Sequence, residues 1–320
     1  MTSQSGPDQR PIVRLDPLEA PTEGRNPRTT EIDLLPTLGM LQLINDEDAL
    51  VAHAVRAALP ELARVVDLGV EALRSGHRIH YFGAGTSGRL GVLDVAELLP
   101  TYTFEPGRVV AHHAGGTRAL MDAVEDIEDD GDLGAADASG VHAGDLVVGL
   151  TASGRSPYVL GALRRSAAAG AATVLVSSNP QAPYGREVDV DVAVDTGPEV
   201  IAGSTRMKAG TAQKLVLNAF STAVMVRLGR TYSNLMVHMT VTNAKLRGRL
   251  VTILMDATGE DQRTCELALI SAGGDCKVAL VCLLAGVPPE QAAAALDAAE
   301  GVVRRALSLL DSSSGSPSRP

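Results

Sequence analysis

The sequence predicts an α/β protein: a parallel five-stranded sheet sandwiched by helices, with N-terminal helices before it and a small all-helical domain after it. Three observations predict this. Short, predominantly apolar runs occupy 78–82, 108–113, 145–150, 172–177 and 189–194, and helical patterns at 87–98, 116–128, 156–169 and 208–227 alternate with them. Strands of that kind are buried on both faces, which calls for parallel pairing beneath helices on each side. The first strand runs into Gly83-Ala84-Gly85-Thr86-Ser87-Gly88-Arg89 and the third into Thr151-Ala152-Ser153-Gly154-Arg155-Ser156, and each loop opens a helix. Ligands of such sheets collect beyond the carboxyl ends of the strands, where both loops fall.

In chain order, 1–35 reads as a polar arm, Pro-rich and mobile at its start, with 22–27 an ordered arm or a linker. N-terminal helices follow over 36–68. The helical pattern covers 37–44 and 46–75, where Leu62, Val65, Val66, Leu68 and Leu73 share a stripe that Gly76 ends. The α/β alternation fills 69–233. Beyond it no strand signal remains: one long helix is expected over 234–255, and shorter ones at 259–272, 275–286 and 289–309, making a helical domain of 234–310. The Ser/Pro-rich stretch 311–320 is expected to be a disordered tail.

Composition excludes several function classes. A net charge of −10 offers no general attraction to nucleic acid or anionic lipid, so any phosphate affinity must be local. Aromatic residues are only 2%, too few for base-stacking platforms. Cys265, Cys276 and Cys282 lack metal-ligand spacing and lie in an apolar helical region, which fits free buried thiols and a reducing, cytoplasmic location. The polar first residues do not resemble a secretion signal, and the longest apolar run, 278–287, is too short to span a bilayer.

Glycines let a backbone approach a ligand, and exposed N–H groups with hydroxyls surround an anion. Thr86, Ser87 and Gly88 in the first loop, and Thr151, Ser153, Gly154 and Ser156 in the second, therefore read as a cradle gripping one phosphate from two sides. Gly83, Gly85 and Gly88 also satisfy the dinucleotide spacing, but the strand at 108–113 ends in His112-His113 without the acid that would hold a ribose. A third hydroxyl-rich segment, 197–208, offers Glu199, Ser204 and Lys208 as sugar or phosphate ligands, although Ser204 or Thr205 would equally serve as a helix cap. The acids of 122–132 read first as a solvated helix end. Glu97 stands among apolar residues, an environment in which acids become proton-transfer groups. In a continuous helix Glu97 lies about 15 Å beyond Ser87, farther than a hexose phosphate reaches. It therefore serves a loop held by a neighbouring subunit, or the helix bends near Gly91; the first option implies an obligate oligomer.

With these residues laid out, the chain resembles the N-acetylmuramic acid 6-phosphate etherases, a family within the sugar-isomerase (SIS) class of phosphosugar-binding folds. The resemblance rests on Thr22-Glu23, Arg25-Asn26-Pro27, the run from Gly83 to Asp94, Ala114-Gly115-Gly116, Ala152-Ser153-Gly154-Arg155, Gly203-Ser204-Thr205-Arg206 and the run from Gly210 to Asn218. It implies release of D-lactate from N-acetylmuramic acid 6-phosphate during cell-wall sugar recovery, leaving N-acetylglucosamine 6-phosphate, with no cofactor or metal. It further implies a homodimer with the site near the subunit interface, and two catalytic glutamates. Glu97, in Leu93-Asp94-Val95-Ala96-Glu97, would protonate departing lactate and then activate water. Glu128 would take the C2 proton, with Glu125 as the neighbouring alternative. The family's usual Cys-Pro-Pro is Leu98-Leu99-Pro100 here, an alanine usually stands at Thr151, and a threonine at Ser156. The alternative is a non-catalytic phosphosugar-binding regulator of the glucokinase-regulatory type, which would have no use for the two glutamates.

Overall fold

The computed structural model describes residues 20–122, 124, 126–239 and 244–314. Two single turns of 3₁₀ helix, Pro21–Glu23 and Ile32–Leu34, precede α1 (Thr37–Ala49), α2 (Val51–Ala57) and α3 (Leu59–Arg74). The helix expected over 46–75 is divided twice: residues 46–49 complete α1, α2 starts afresh after Leu50, and α3 starts at Leu59, where Pro60 lacks an N–H and fits only the first turn of a helix. Then follow β1 (Ile79–Gly83), α4 (Gly85–Tyr102), β2 (Val109–His113), α5 (Gly116–Met121), α6 (Gly131–Asp137), β3 (Leu146–Leu150), α7 (Pro157–Ala168), β4 (Ala172–Ser177), β5 (Val190–Ala193) and α8 (Lys208–Arg227).

The five strands form one parallel sheet in the order β2-β1-β3-β4-β5, with Gly83 in register with Leu150. The chain thus moves from β1 outward to β2, then returns to place β3 on the other side of β1. The crevice at that reversal lies between the two hydroxyl-rich loops. Along β3 the side chains divide between two cores: Leu146, Val148 and Leu150 join Val65, Val216 and Phe220, while Val147 joins Tyr158, Val159 and Leu163. Burial on both faces is why this strand reads as a continuous apolar run.

The helix expected over 116–128 stops at Met121. Carrying it through the acids at 122, 126, 128 and 129 would stack like charges on adjacent turns. The chain turns instead, with Asp126 at φ 68°, and Ile127 packs beneath Gly115.

Beyond residue 230, where no strand was expected, β6 (Thr231–Tyr232) and β7 (Leu235–Met236) form a hairpin about Ser233, which takes φ 53°. The long helix expected from 234 accordingly begins later, as α9 (Ala244–Thr258). It is followed by α10 (Gln262–Ser271), α11 (Cys276–Ala285), α12 (Pro289–Ala298) and α13 (Val303–Ser314). Left-handed Glu300 and Gly301 split the helix expected over 289–309. α13 continues to Ser314, into the stretch whose composition reads as a tail; the rest of that stretch, and residues 1–19 of the arm, lie outside the described residues. The three cysteines are free, Cys265 and Cys276 fully buried in the core of these helices. Among the described residues no single helix is long and apolar enough to cross a membrane.

At Gly131, Gly134, Tyr158 and Gly161, α6 and α7 meet backbone to backbone. A Cβ built on Gly161 would lie 1.9 Å from the Gly131 carbonyl oxygen, and one on Gly134 the same distance from that of Tyr158. This contact holds the acidic turn against the start of α7. Gly161→Ala is expected to cost about 3 kcal/mol by overpacking, whereas Gly140→Ala, with nothing nearby, should change stability by less than about 0.5 kcal/mol. Urea unfolding of the two variants checks this.

Candidate functional site

The first loop is fixed by lack of space. A Cβ on Gly88 would lie 2.4 Å from the Gly83 carbonyl oxygen, so α4 starts in direct backbone contact with the end of β1. That contact aims the first turn of α4 outward from the sheet. Ser87 is buried and Thr86 half-buried, and among the described residues neither hydroxyl has a hydrogen-bond partner. His113, from the neighbouring strand, reaches the Gly85 carbonyl at 3.2 Å. His112 stacks on Phe82, and its burial lowers its pKa to about 4. Both histidines thus have structural settings.

The second loop is internally bonded. The Gly154 N–H donates to Thr151 Oγ1 at 3.2 Å, Thr151 and Ser156 hydroxyls meet at 3.0 Å, and Ser156 Oγ donates to Glu128 Oε1 at 2.5 Å. Ser156 has a single proton, spent on Glu128, so Thr151 must be the donor to Ser156 and the chain runs one way to the carboxylate. The Glu128 backbone carbonyl accepts from Tyr158 N–H at 3.0 Å, which fixes the acid from a second side. Ser153 is oriented by Asn179, whose side-chain amide donates to the Ser153 carbonyl at 2.9 Å. Glu128 is exposed, and a cleft of about 140 Å³ lies beside it, lined by Gly85, Arg89, His113 and Ile127 among others.

Thr86, Ser87, Gly88, Thr151, Ser153, Gly154, Ser156 and Glu128 therefore come together at the ends of β1 and β3. Glu97 does not join them. α4 runs unbroken from Gly85 to Tyr102, so it places Glu97 ten residues beyond Ser87, about 15 Å along the axis. Glu97 is exposed, and so are Leu93 and Leu99 beside it. The apolar surroundings read from sequence are an open face. One turn back, buried Asp94 accepts from Tyr81 Oη at 3.0 Å and Ser221 Oγ at 2.9 Å, tying α4 to β1 and α8; burial pushes its carboxyl up to about 6. Glu125 lies outside the described residues.

Ser204 is half-buried in the loop before α8. Glu199 and Lys208, by contrast, are fully buried and committed to partners within the chain. The Glu199 carboxylate accepts from the backbone N–H groups of Lys208 at 2.8 Å and Ala209 at 3.0 Å, capping α8; burial raises its pKa against these bonds. Lys208 Nζ lies 2.9 Å from Glu47 and 3.0 Å from the Pro198 carbonyl. Glu47 also accepts from Asn26 at 2.9 Å and from both Nε and Nη2 of Arg28. Sequence reading missed Glu47: it sits in an ordinary acidic stretch of α1, and nothing local marks it. Its only signal was the pair Asn26 and Arg28, polar residues in a segment that otherwise has no core to join.

Residues 61–167 match the family described as Glucokinase regulatory protein N-terminal SIS domain, in keeping with the five-stranded parallel sheet flanked by helices. Over most of its length the chain is similar to proteins named N-acetylmuramic acid 6-phosphate etherase. It is 64% identical over 267 residues to that of Thermobifida fusca, covering 83% of this chain and 88% of that protein. It is 51% identical over 290 residues to that of Cutibacterium acnes, covering 90% and 95%. With that of Photorhabdus laumondii the identity is 48% over 289 residues, covering 90% and 96%.

The Glu47 cluster gives stability a pH signature. The hydrogen bonds from Arg28, followed by those from Lys208 and Asn26, lower the Glu47 pKa from 4.5 to about 2 against the opposing effect of burial. A carboxylate with a depressed folded pKa contributes stability above its unfolded pKa and loses it as pH falls through the folded one. On the order of 3 kcal/mol is expected to disappear between pH 4.5 and about 2. Glu47→Gln should flatten that part of the profile, measured by urea unfolding at stepped pH.

Proposed function

The chain belongs to the N-acetylmuramic acid 6-phosphate etherase family, and we propose that it releases D-lactate from N-acetylmuramic acid 6-phosphate, leaving N-acetylglucosamine 6-phosphate. The observation that carries the reading is the one-way hydrogen-bond chain ending on Glu128, which joins a proton-transfer group to the hydroxyl loops. Thr86 and Ser87, whose hydroxyls have no partner among the described residues, are the hydroxyls available to the phosphate, with the α4 amides behind them.

An ether has no carbonyl to attack, so the sugar first opens to its aldehyde, which makes the C2 proton acidic. Glu128 removes that proton. The C3–O bond breaks, its electrons leave with lactate, and Glu97 supplies the proton lactate requires. Water then adds across the C2=C3 bond: Glu97, now ionised, takes a proton from the water that attacks C3, and Glu128 returns a proton to C2. Atoms balance with one water consumed, and each glutamate ends as it began.

Glu97 of the same chain is too distant to share that substrate. We therefore assign each site to two copies, with Glu97 entering from a neighbouring copy in a homodimer. Leu93 and Leu99 flank it with apolar surface of the kind an interface covers, and α1 adds Leu38 and Leu41, also exposed. The cleft beside Glu128, at about 140 Å³, is small for a hexose phosphate, which favours a site completed by a second copy. A cytoplasmic place in cell-wall sugar recovery follows from the substrate. The match to the glucokinase-regulatory SIS domain favours a second reading, a sensor that binds the sugar phosphate without turning it over. Lactate release from the purified chain separates the two, and its absence would eliminate the enzyme.

Glu97→Gln and Glu128→Gln should each lower kcat by about 10²–10⁴ while substrate still binds. Mixing the two inactive proteins tests the shared site. A mixed dimer holds one site with both glutamates, so lactate release should return to about a quarter of wild type. Recovery of nothing, with mixed dimers demonstrated by native mass spectrometry, would refute the assignment of Glu97 to a second copy. Ser87→Ala should weaken binding about tenfold with less effect on kcat.

A further inference from the structure

The N-terminal segment 22–29 is built into the wall of the site. Thr22, Asn26 and Thr29 are buried, and each meets the loop 197–207 or the ion cluster beneath it. The Gly203 N–H donates to the Thr22 carbonyl at 3.2 Å, and Thr29 Oγ1 donates to the Val200 carbonyl at 2.7 Å. Asn26 and Arg28 reach Glu47, and Glu47 reaches Lys208 at the first position of α8. That first turn lies against the first hydroxyl loop: a Cβ on Gly210 would sit 3.5 Å from Thr86 Cγ2, in van der Waals contact. Contact is therefore continuous from the arm through Glu47, Lys208 and α8 to Thr86.

We infer that Glu47 is a positioning residue of the site: as the counter-charge of buried Lys208, it clamps the start of α8 and the loop 197–207 against the Thr86–Ser87 turn, with the arm closing the clamp through Asn26 and Arg28. Lys208 and Glu199 act here without touching the sugar. Every polar side-chain atom of the pair is matched inside the chain: Lys208 Nζ by Glu47 and the Pro198 carbonyl, Glu199 by two backbone amides. A buried pair of charges is a poor source of net stability compared with apolar side chains of equal volume; in some proteins it serves instead to fix a geometry, the role inferred for Glu47 and Lys208. The loop so fixed carries Ser204 and Thr205, half-buried beside the site. The inference rests on the proposed reading of the two hydroxyl loops as the phosphosugar site.

Two variants test it, with lactate release and melting temperature measured on each. Glu47→Gln leaves Lys208 buried without its counter-charge; melting temperature should fall and KM rise about tenfold, with kcat within about threefold of wild type. Glu47→Gln combined with Lys208→Met removes both charges. It should regain most of the melting temperature while KM stays raised, because the fold is relieved and the clamp is still missing. If the pair were only structural, KM would return with the melting temperature, and that result would overturn the inference. Should the single variant fail to fold, the double variant decides alone. Wild-type protein that released no lactate would defeat the proposed activity. The clamp would then be read from the calorimetric Kd for N-acetylglucosamine 6-phosphate: about tenfold weaker binding by the double variant supports it, and unchanged binding overturns it.

Discussion

No side chain fits between the end of β1 and the first turn of α4, and the geometry of the site descends from that fact. With Gly83 and Gly88 in backbone contact, the strand passes into the helix with no freedom in the turn. Thr86 and Ser87 therefore stand where the α4 amides point. Because β3 pairs with β1, the second loop leaves the sheet directly alongside, at the same level in the register. A parallel sheet whose strand order reverses at that place supplies the crevice without further devices.

Most of the sheet was legible from sequence, and for a physical reason. The central strands β1, β3 and β4 are buried almost throughout and the edge strands β2 and β5 are rich in valine, so the apolar runs mark their ends to within a residue or two. α8 was read with its observed bounds, Lys208–Arg227. What escaped were features set by single backbone conformations: the left-handed turn at Ser233 that makes a hairpin, and those at Glu300 and Gly301 that divide the last helical stretch. In the site, both loops were legible because glycine and hydroxyl residues cluster locally. The bond between Ser156 and Glu128 was not, since it spans 28 residues and depends on α5 ending early. Nor was the burial of Glu199, taken up by the amides at the start of α8, or of Lys208, whose partner Glu47 lies 161 residues away in sequence.

The two carboxyl groups of the proposed chemistry are both exposed but differ in their neighbours. Glu128 is held by a serine hydroxyl and lies beside a cleft, whereas Glu97 stands on a helix face between leucines. In the proposed dimer, association changes the surroundings of both, since it brings Glu97 of one copy to the cleft of the other. Assembly would then complete the catalytic pair as well as the enclosure, leaving the isolated chain with the loops and half the acid–base apparatus. In the proposed clamp, buried Glu47 and Lys208 continue the theme, with charge placed to fix geometry at some cost to the stability that apolar residues would give.

The unbroken course of α4 has an evolutionary corollary. A helix advances 1.5 Å and turns about 100° with each residue, so it works as a ruler joining the loop at its head to Glu97 near its tail. Adding or deleting one residue between them would swing the carboxyl group to another side of the cylinder and away from whatever it faces. Descendants of this chain are free to exchange exposed side chains along that ruler, though not Gly88 or Asp94, and not to alter its length. Changes in length belong instead in connections that carry no group of the site, such as the turn at Gly259 between α9 and α10, where an added Cβ would meet nothing within 4 Å.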